Sequence, residues 1–363
     1  MSNPTYFIED ASGDRWVVRK QPPGHLLKGA HNVKREYTVM SALADTDVPV
    51  PKCLLFCDDP AILGTDFFVM EFVNGRVIED TALQGEEYTP EFRAALYDSL
   101  LETLAALHSV DVVGVGLETF GRPSGYVQRQ LKTWGGQYEG GEEIVRDPAA
   151  WEAKGLKFHD NGTFMDGKTA MFSRIVELSI SLILRRIPVA DLLTHLNANV
   201  DAEMGRMAPE PSGVVHGDYR IGNVIVHPTE PKVIAVLDWE LCTIGNPLAD
   251  LTYMMMAWFA PLIAQGSDGS GRPISDIGEG IPTEEQYKAR YEELMGWEIP
   301  ESTWKFLQAF QMFRKGAIDH GVFSRSLQGN ASSSKAGGSG WRSDAARTAL
   351  TMLGLRESST PKL

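Results

Sequence analysis

Cysteine is scarce in this chain: Cys53, Cys57 and Cys242 are the three among 363 residues. They cannot all pair with one another, and one C-x3-C spacing without a matching second pair is a poor zinc signal, so reduced, half-buried thiols are expected. Positive charge is in short supply as well. Lys and Arg number 34 against 48 Asp and Glu, a formal net charge of −14. No nucleic-acid partner is expected of such a balance, and an anionic ligand has to be met by a local cluster of cations. Long apolar runs are missing too. The longest, "LTYMMMAWFAPLIA" from Leu251 to Ala264, contains Pro261 and is shorter than the roughly 20 residues needed to cross a bilayer. A core helix, with Met254, Met255 and Met256 as core filler, is predicted there, and no membrane span. The opening "MSNPTYFIEDASGDRW" meets acidic residues too early for the apolar core of a signal peptide. No internal repeat is found.

What is present is ordinary globular composition, 43% apolar and 23% charged, in a chain long enough for one large domain or two lobes. The first seventy-odd residues read as a small sheet with one helix. "TYFI", "RWVVR", "KCLLFC" and "DFFVMEFV" are short strands bounded by Pro, Gly or Asp. Between the pairs, "HNVKREYTVMSALA" puts Val33, Tyr37, Met40 and Leu43 on one helical face. "VNGR" from Val73 to Arg76 reads as a hinge. Beyond it, Phe92, Leu96, Leu100, Leu104 and Leu107 form an apolar stripe on a helix from Pro90 to His108, and further helices are predicted near 283–296, 300–326 and 341–353. The segment from Gly135 to Lys168, rich in Gly and charge with weak periodicity, reads as an insertion. "NASSSKAGGSG" reads as a loop and "RESSTPKL" as a polar tail.

One loop carries chemistry. In "VVHGDYRIGNVIV", from Val214 to Val226, His216, Asp218, Arg220 and Asn223 sit between two apolar runs, and twenty residues after Asp218 the run "KVIAVLD" ends at Asp238. Carboxylate, amide and carboxylate are oxygen donors suited to a hard cation such as Mg²⁺. Phosphoryl transfer needs such a division of labour, since the protein supplies position and charge neutralisation there. Asp218 then serves as a base for the attacking hydroxyl, Asn223 and Asp238 hold the metal, and Arg220 is a cation that could face the phosphates. A metal-dependent hydrolase using His216 and Asp218 as ligands finds no second H-x-D or H-x-x-x-H cluster to complete its site.

At these residues the sequence resembles the aminoglycoside-phosphotransferase and choline-kinase branch of the protein-kinase-like fold. The family's H-G-D-x-x-x-x-N loop appears as "HGDYRIGN", and its metal-binding strand end as "VIAVLDWE". "VVRKQPPGHLLKGAHNVKRE", "VPVPK", "DFFVMEFVNGRV" and "LDWELCTIGNPLADL" are similar to the subfamily fused to acyl-CoA dehydrogenases in some eukaryotes. The resemblance spans nearly the whole chain apart from 139–185. It implies a two-lobed α+β protein, with an N-lobe over 1–73 and a helical C-lobe over 74–363, that uses ATP and Mg²⁺ on a small-molecule hydroxyl.

Asp218 is implied as catalytic base, Asn223 and Asp238 as metal ligands, and Asp250 as the anchor of the loop backbone. The phosphate-facing cation is Arg19 or its neighbour Lys20 on the opposite strand face, with Arg19 favoured, and Glu36 is its acidic partner. Backbone groups of Glu71 to Val73 would meet the adenine. His216 reads as structural, and Glu240 either touches metal or substrate or is a turn carboxylate. A hydroxylated acyl-CoA or related hydroxy acid is the acceptor that the lineage suggests, approaching beside the 139–185 insertion. The alternative is a nucleotide-binding pseudokinase or scaffold.

Relatives begin with a strand and a Gly-containing turn before "SNPTY", with which this chain starts; Ser2 and Asn3 are then remnants of that turn, and weaker phosphate cover is expected. Pro361-Lys362-Leu363 resembles the small-basic-Leu address read by the peroxisomal import receptor.

Overall fold

A computed structural model describes residues 3–22, 32–147, 149, 188–260, 271–328 and 341–355. These fall into two compact units, one made of Met1–Gly125 with Glu210–Ile299 and the other of Tyr126–Pro209 with Pro300–Leu363. Most of the expected insertion, the "NASSSKAGGSG" loop and the final eight residues lie outside the described residues, as does Ser2.

The first unit opens with an antiparallel sheet of β1 (Thr5–Glu9), β2 (Arg15–Lys20), β3 (Cys53–Cys57) and β4 (Phe67–Glu71), in the order β1-β2-β4-β3. The turn between β1 and β2 closes because the Asp10 carboxylate accepts from the backbone of Ser12 and Asp14, with Gly13 at φ 87°. Helix α1 (Val33–Leu43) starts where the Asn32 side chain accepts from Arg35 N–H, one of the orphan donors that every helix start must satisfy. It buries Val33, Glu36, Val39, Met40 and Leu43. Tyr37, expected on that face, is half-buried, with its ring 5.5 Å from Phe56 and 6.1 Å from Phe68. A short helix, α2 (Pro60–Leu63), precedes β4.

The connector after β4 is stitched down. Arg76 and Val226 exchange backbone hydrogen bonds of 2.7 and 2.8 Å. Gly75 permits the approach, because a Cβ there would lie 2.3 Å from the Ile225 side chain and 2.5 Å from the Val226 carbonyl. Helix α3 (Pro90–His108) follows, capped by Thr89 and burying Leu96, Leu100, Leu104 and Leu107. Phe92, at the start of the stripe, is half-buried.

Two small antiparallel pairs then carry the polar loop, in four antiparallel strands. These are β5 (Gly213–Val215) with β8 (Thr243–Gly245), and β6 (Val224–Val226) with β7 (Val233–Val236). The methionine-rich run is not one helix. The chain forms α6 (Leu248–Met254), turns at Met255 with φ −80° and ψ 4°, and resumes as α7 (Met256–Phe259). All three methionines are buried. Helix α8 (Glu284–Met295), started by a full capping box at Thr283 and Gln286, completes this unit.

The second unit contains α4 (Tyr126–Arg146), α5 (Pro188–Met204), α9 (Glu301–Leu327) and α10 (Trp341–Met352). Helix α4 corrects the reading of an aperiodic segment over its first residues, 135–146. Each glycine in a helix interior costs about 1 kcal/mol relative to alanine, but Gly135 and Gly141 allow close packing. A Cβ on Gly141 would stand 2.7 Å from the buried His320 ring, and one on Gly135 would stand 3.2 Å from Leu193. Among the described residues no helix is long and apolar enough to cross a membrane. The expected α+β class, a small N-terminal sheet followed by a helical remainder, is what the chain adopts.

Candidate active site

Strand β5 is buried throughout and ends at Val215, and at His216 the chain enters the polar loop. The loop is held from beneath. The Asp250 carboxylate accepts from His216 N–H at 2.6 Å and from Gly217 N–H at 2.8 Å, and its Oδ2 lies 3.4 Å from His108 Nε2. Burial, the largest influence on this carboxyl, pushes its pKa up; the His108 hydrogen bond, the two histidines and the Gly217 N–H together bring it below the ordinary value. Gly217 sits at φ 87°, and a Cβ there would meet Leu241 at 2.8 Å, so the turn requires glycine.

His216 is spent on structure, as expected. Its Nε2 donates to Leu237 O at 2.8 Å and its Nδ1 accepts from Asp218 N–H at 3.2 Å, which places the proton of the neutral ring on Nε2.

Asp218 is half-buried. Asn223 holds it from five residues away, its Nδ2 donating both to the Asp218 carbonyl and to Asp218 Oδ2, each at 2.8 Å. Since the amide nitrogen is committed, Asn223 has its Oδ1 left for a cation. Leu237 N–H donates to Asn223 O at 2.8 Å, which brings the end of β7 beside the loop. The next residue, Asp238, adopts φ 65° and ψ 56° and caps a 3-10 turn over Trp239–Leu241. This left-handed conformation costs a non-glycine residue roughly 1–2 kcal/mol and is a form of strain that recurs where a side chain has to be aimed.

Arg19 reaches that carboxylate. Its Nη2 lies 2.6 Å from Asp238 Oδ1 and its Nε 2.7 Å from Glu36 Oε2. Glu36 also accepts from the Asn3 amide. Burial pushes the Glu36 pKa up to about 7 against the opposing charge of Arg19. Glu240 is half-buried, and burial followed by the negative charge of Asp238 raises its pKa.

The other expected residues lie outside the Arg19 cluster. Lys20, alternating with Arg19 along β2, donates from Nζ to Leu63 O at 2.8 Å and takes no part in the Arg19 cluster. Arg220 pairs with Glu79 at 3.4 Å, and its guanidinium fills the space where a Gly222 Cβ would stand. Glu71 donates its N–H to Lys52 O, and its carboxylate accepts from Lys52 N–H, each at 3.0 Å. Val73 follows β4 at the start of the connector.

Two participants went unnoticed in the sequence. Asn3 was read only as the remnant of a turn, and Arg35 was passed over although it adjoins Glu36. No local pattern marks either, because their partners are distant in the chain.

Among the described residues no group of three or more His, Cys, Asp or Glu is gathered to hold a metal ion. The donors available near Asp218 are instead one amide oxygen and carboxylate oxygens. That set suits a hard cation which takes its remaining ligands from phosphate and water.

A family model described as the phosphotransferase enzyme family, APH, matches residues 1–271. Acyl-CoA dehydrogenase family member 11 of Rattus norvegicus is 37% identical over 336 residues, and that of Homo sapiens 34% over 340, each alignment covering 92% of this chain and 36% of the relative. The chain therefore spans about a third of the length of these curated relatives. Among solved structures, a candidate aminoglycoside phosphotransferase from Ralstonia eutropha is 34% identical with a TM-score of 0.74, covering 98% of this chain and 90% of that one. A spectinomycin phosphotransferase in complex with ADP and spectinomycin, 11% identical with a TM-score of 0.53 over 97% of this chain and 93% of that one, is alike in fold alone. The fold is thus kinase-like, and with three quarters of its length matched, this chain belongs to the phosphotransferase enzyme family.

Proposed function

We propose that the chain transfers the γ-phosphoryl group of ATP to the hydroxyl of a small molecule, and that the acceptor is a hydroxylated acyl-CoA or a related hydroxy acid. The observation that carries the reading is the fixing of Asp218 by Asn223, on a loop whose backbone Asp250 anchors. Asp218 accepts the proton of the acceptor hydroxyl, that oxygen bonds to the γ-phosphorus, and the bond to the bridging oxygen breaks to leave ADP.

Asn223 Oδ1 and the Asp238 carboxylate would hold Mg²⁺, which when bound neutralises phosphate charge. Arg19, kept in place by Glu36, faces the phosphates with a planar fork instead of the point charge of a lysine. Glu71 has its N–H engaged within the sheet, so it offers the adenine edge its carbonyl alone, and the donor falls to the backbone beyond it, at Val73. Lys20 takes no part, and Arg220 approaches the phosphates only by leaving Glu79. The acyl-CoA class is supported by the names of the relatives.

ATP consumption screened against hydroxylated acyl-CoAs, hydroxy acids and aminoglycosides tests the reading. Turnover is expected with a hydroxylated acyl-CoA or hydroxy acid and none with its deoxy analogue. Nucleotide binding without turnover on any acceptor would support the scaffold reading and defeat this one. The peroxisomal expectation rests on sequence alone, and a fluorescent protein carrying the last dozen residues tests it; diffuse fluorescence would reject it.

A further inference from the structure

Two adjacent residues of α1 reach the two ends of one turn. Glu36 meets Arg19, which holds Asp238, the residue that caps the 3-10 turn. Arg35 reaches the other end, its Nη2 donating to Cys242 O at 3.1 Å. Cys242 closes that same turn by donating its N–H to Trp239 O at 3.1 Å. The same nitrogen of Arg35 also donates to Phe120 O at 3.2 Å, and the guanidinium carbon lies 4.0 Å from the centroid of the Phe120 ring. The Phe120 segment is itself pressed onto β8, since a Cβ on Gly121 would stand 2.4 Å from Ile244 N.

We propose that Arg35 is a positioning residue that docks α1 on the Asp238–Cys242 turn, so that the Glu36–Arg19–Asp238 chain of charges stands assembled before any nucleotide binds. The consequence for catalysis rests on the phosphotransferase reading; the docking does not. Three features favour the role. Cys242 is buried, so its carbonyl would lose a charge-assisted partner if the guanidinium left. A planar guanidinium can stack on an aromatic face while donating in its own plane, which an ammonium cannot do. Arg35 also lies in the first turn of α1, beside Glu36, so little slack separates the grip from the carboxylate it positions.

Arg35→Met keeps an unbranched apolar stem and removes the guanidinium with its donors. By hydrogen exchange without nucleotide, the amides of Val33–Leu43 are expected to lose protection about tenfold while those of α3 keep theirs. Unchanged protection in α1 would overturn the docking. In kinetics with ATP, the substitution is expected to lower kcat/KM about tenfold in the wild-type background and to add little in Glu36→Gln, because it acts through Glu36. Equal losses in both backgrounds would make Arg35 a general stabiliser and overturn the positioning role. If the wild-type chain turns over no ATP, the phosphotransferase reading fails, and the exchange experiment alone decides the docking. Should Arg35→Met fail to fold, Arg35→Lys, which keeps a donor but loses the plane, undergoes the same two measurements with a smaller loss expected in each.

Discussion

Asp218→Asn is expected to lower turnover by about 10² to 10⁴, the usual range for a lost general base, while nucleotide binding stays within about twofold of wild type. The asymmetry follows from the geometry. Asn223 holds Asp218 through a carboxylate oxygen, and an asparagine side chain presents an oxygen of the same shape to that donor. The loop keeps its form and loses only its proton acceptor. Asp238→Ala is expected to behave in the opposite way. It removes the carboxylate that Arg19 grips and that would meet the metal, so Mg²⁺ should no longer strengthen nucleotide binding. Calorimetric titration with and without Mg²⁺, together with single-turnover kinetics, separates the two effects. Wild-type turnover in both variants would show that the proposed roles are wrong.

Asp250→Ala is expected to cost about 3–5 kcal/mol of stability, the range for removing one partner from a buried, charged hydrogen-bonded group. Two backbone donors, His216 N–H and Gly217 N–H, lose their acceptor inside the fold, and His108 loses its neighbour. Because the folded-state pKa of Asp250 is depressed, its contribution is fully present above the unfolded value of about 4. It is lost as pH falls through the lower folded value. Denaturant titration at neutral pH should show the full penalty, and titration in strong acid a smaller one. A penalty below about 1 kcal/mol at neutral pH, the worth of an ordinary hydrogen bond, would mean that the loop holds its shape without this carboxylate.

Features that depend on near neighbours were legible in the order of residues. Short apolar runs bounded by Pro, Gly or Asp specified the four strands of the first sheet, the apolar stripe specified α3, and the spacing within "HGDYRIGN" marked the loop that Asn223 closes onto Asp218. The α+β class was legible for the same reason, since bounded apolar runs and a 3.6-residue period are local quantities.

Tertiary packing decided the rest. Glycines from Gly135 onward read as part of an insertion of weak periodicity, yet Gly135 and Gly141 lie on α4 and leave room for Leu193 and the His320 ring. The methionine run looked like one helix, and a turn at Met255 divides it. Alternation could say that Arg19 and Lys20 point to opposite faces of β2 but not which face meets Asp238, 219 residues away. The high pKa of Glu36 likewise depends on burial by residues remote in the chain. Arg35 is a further case, because its grip on Phe120 and Cys242 joins positions separated by 85 and 207 residues. No pattern of neighbours encodes such contacts, which exist only once the closed chain brings those carbonyls to the guanidinium.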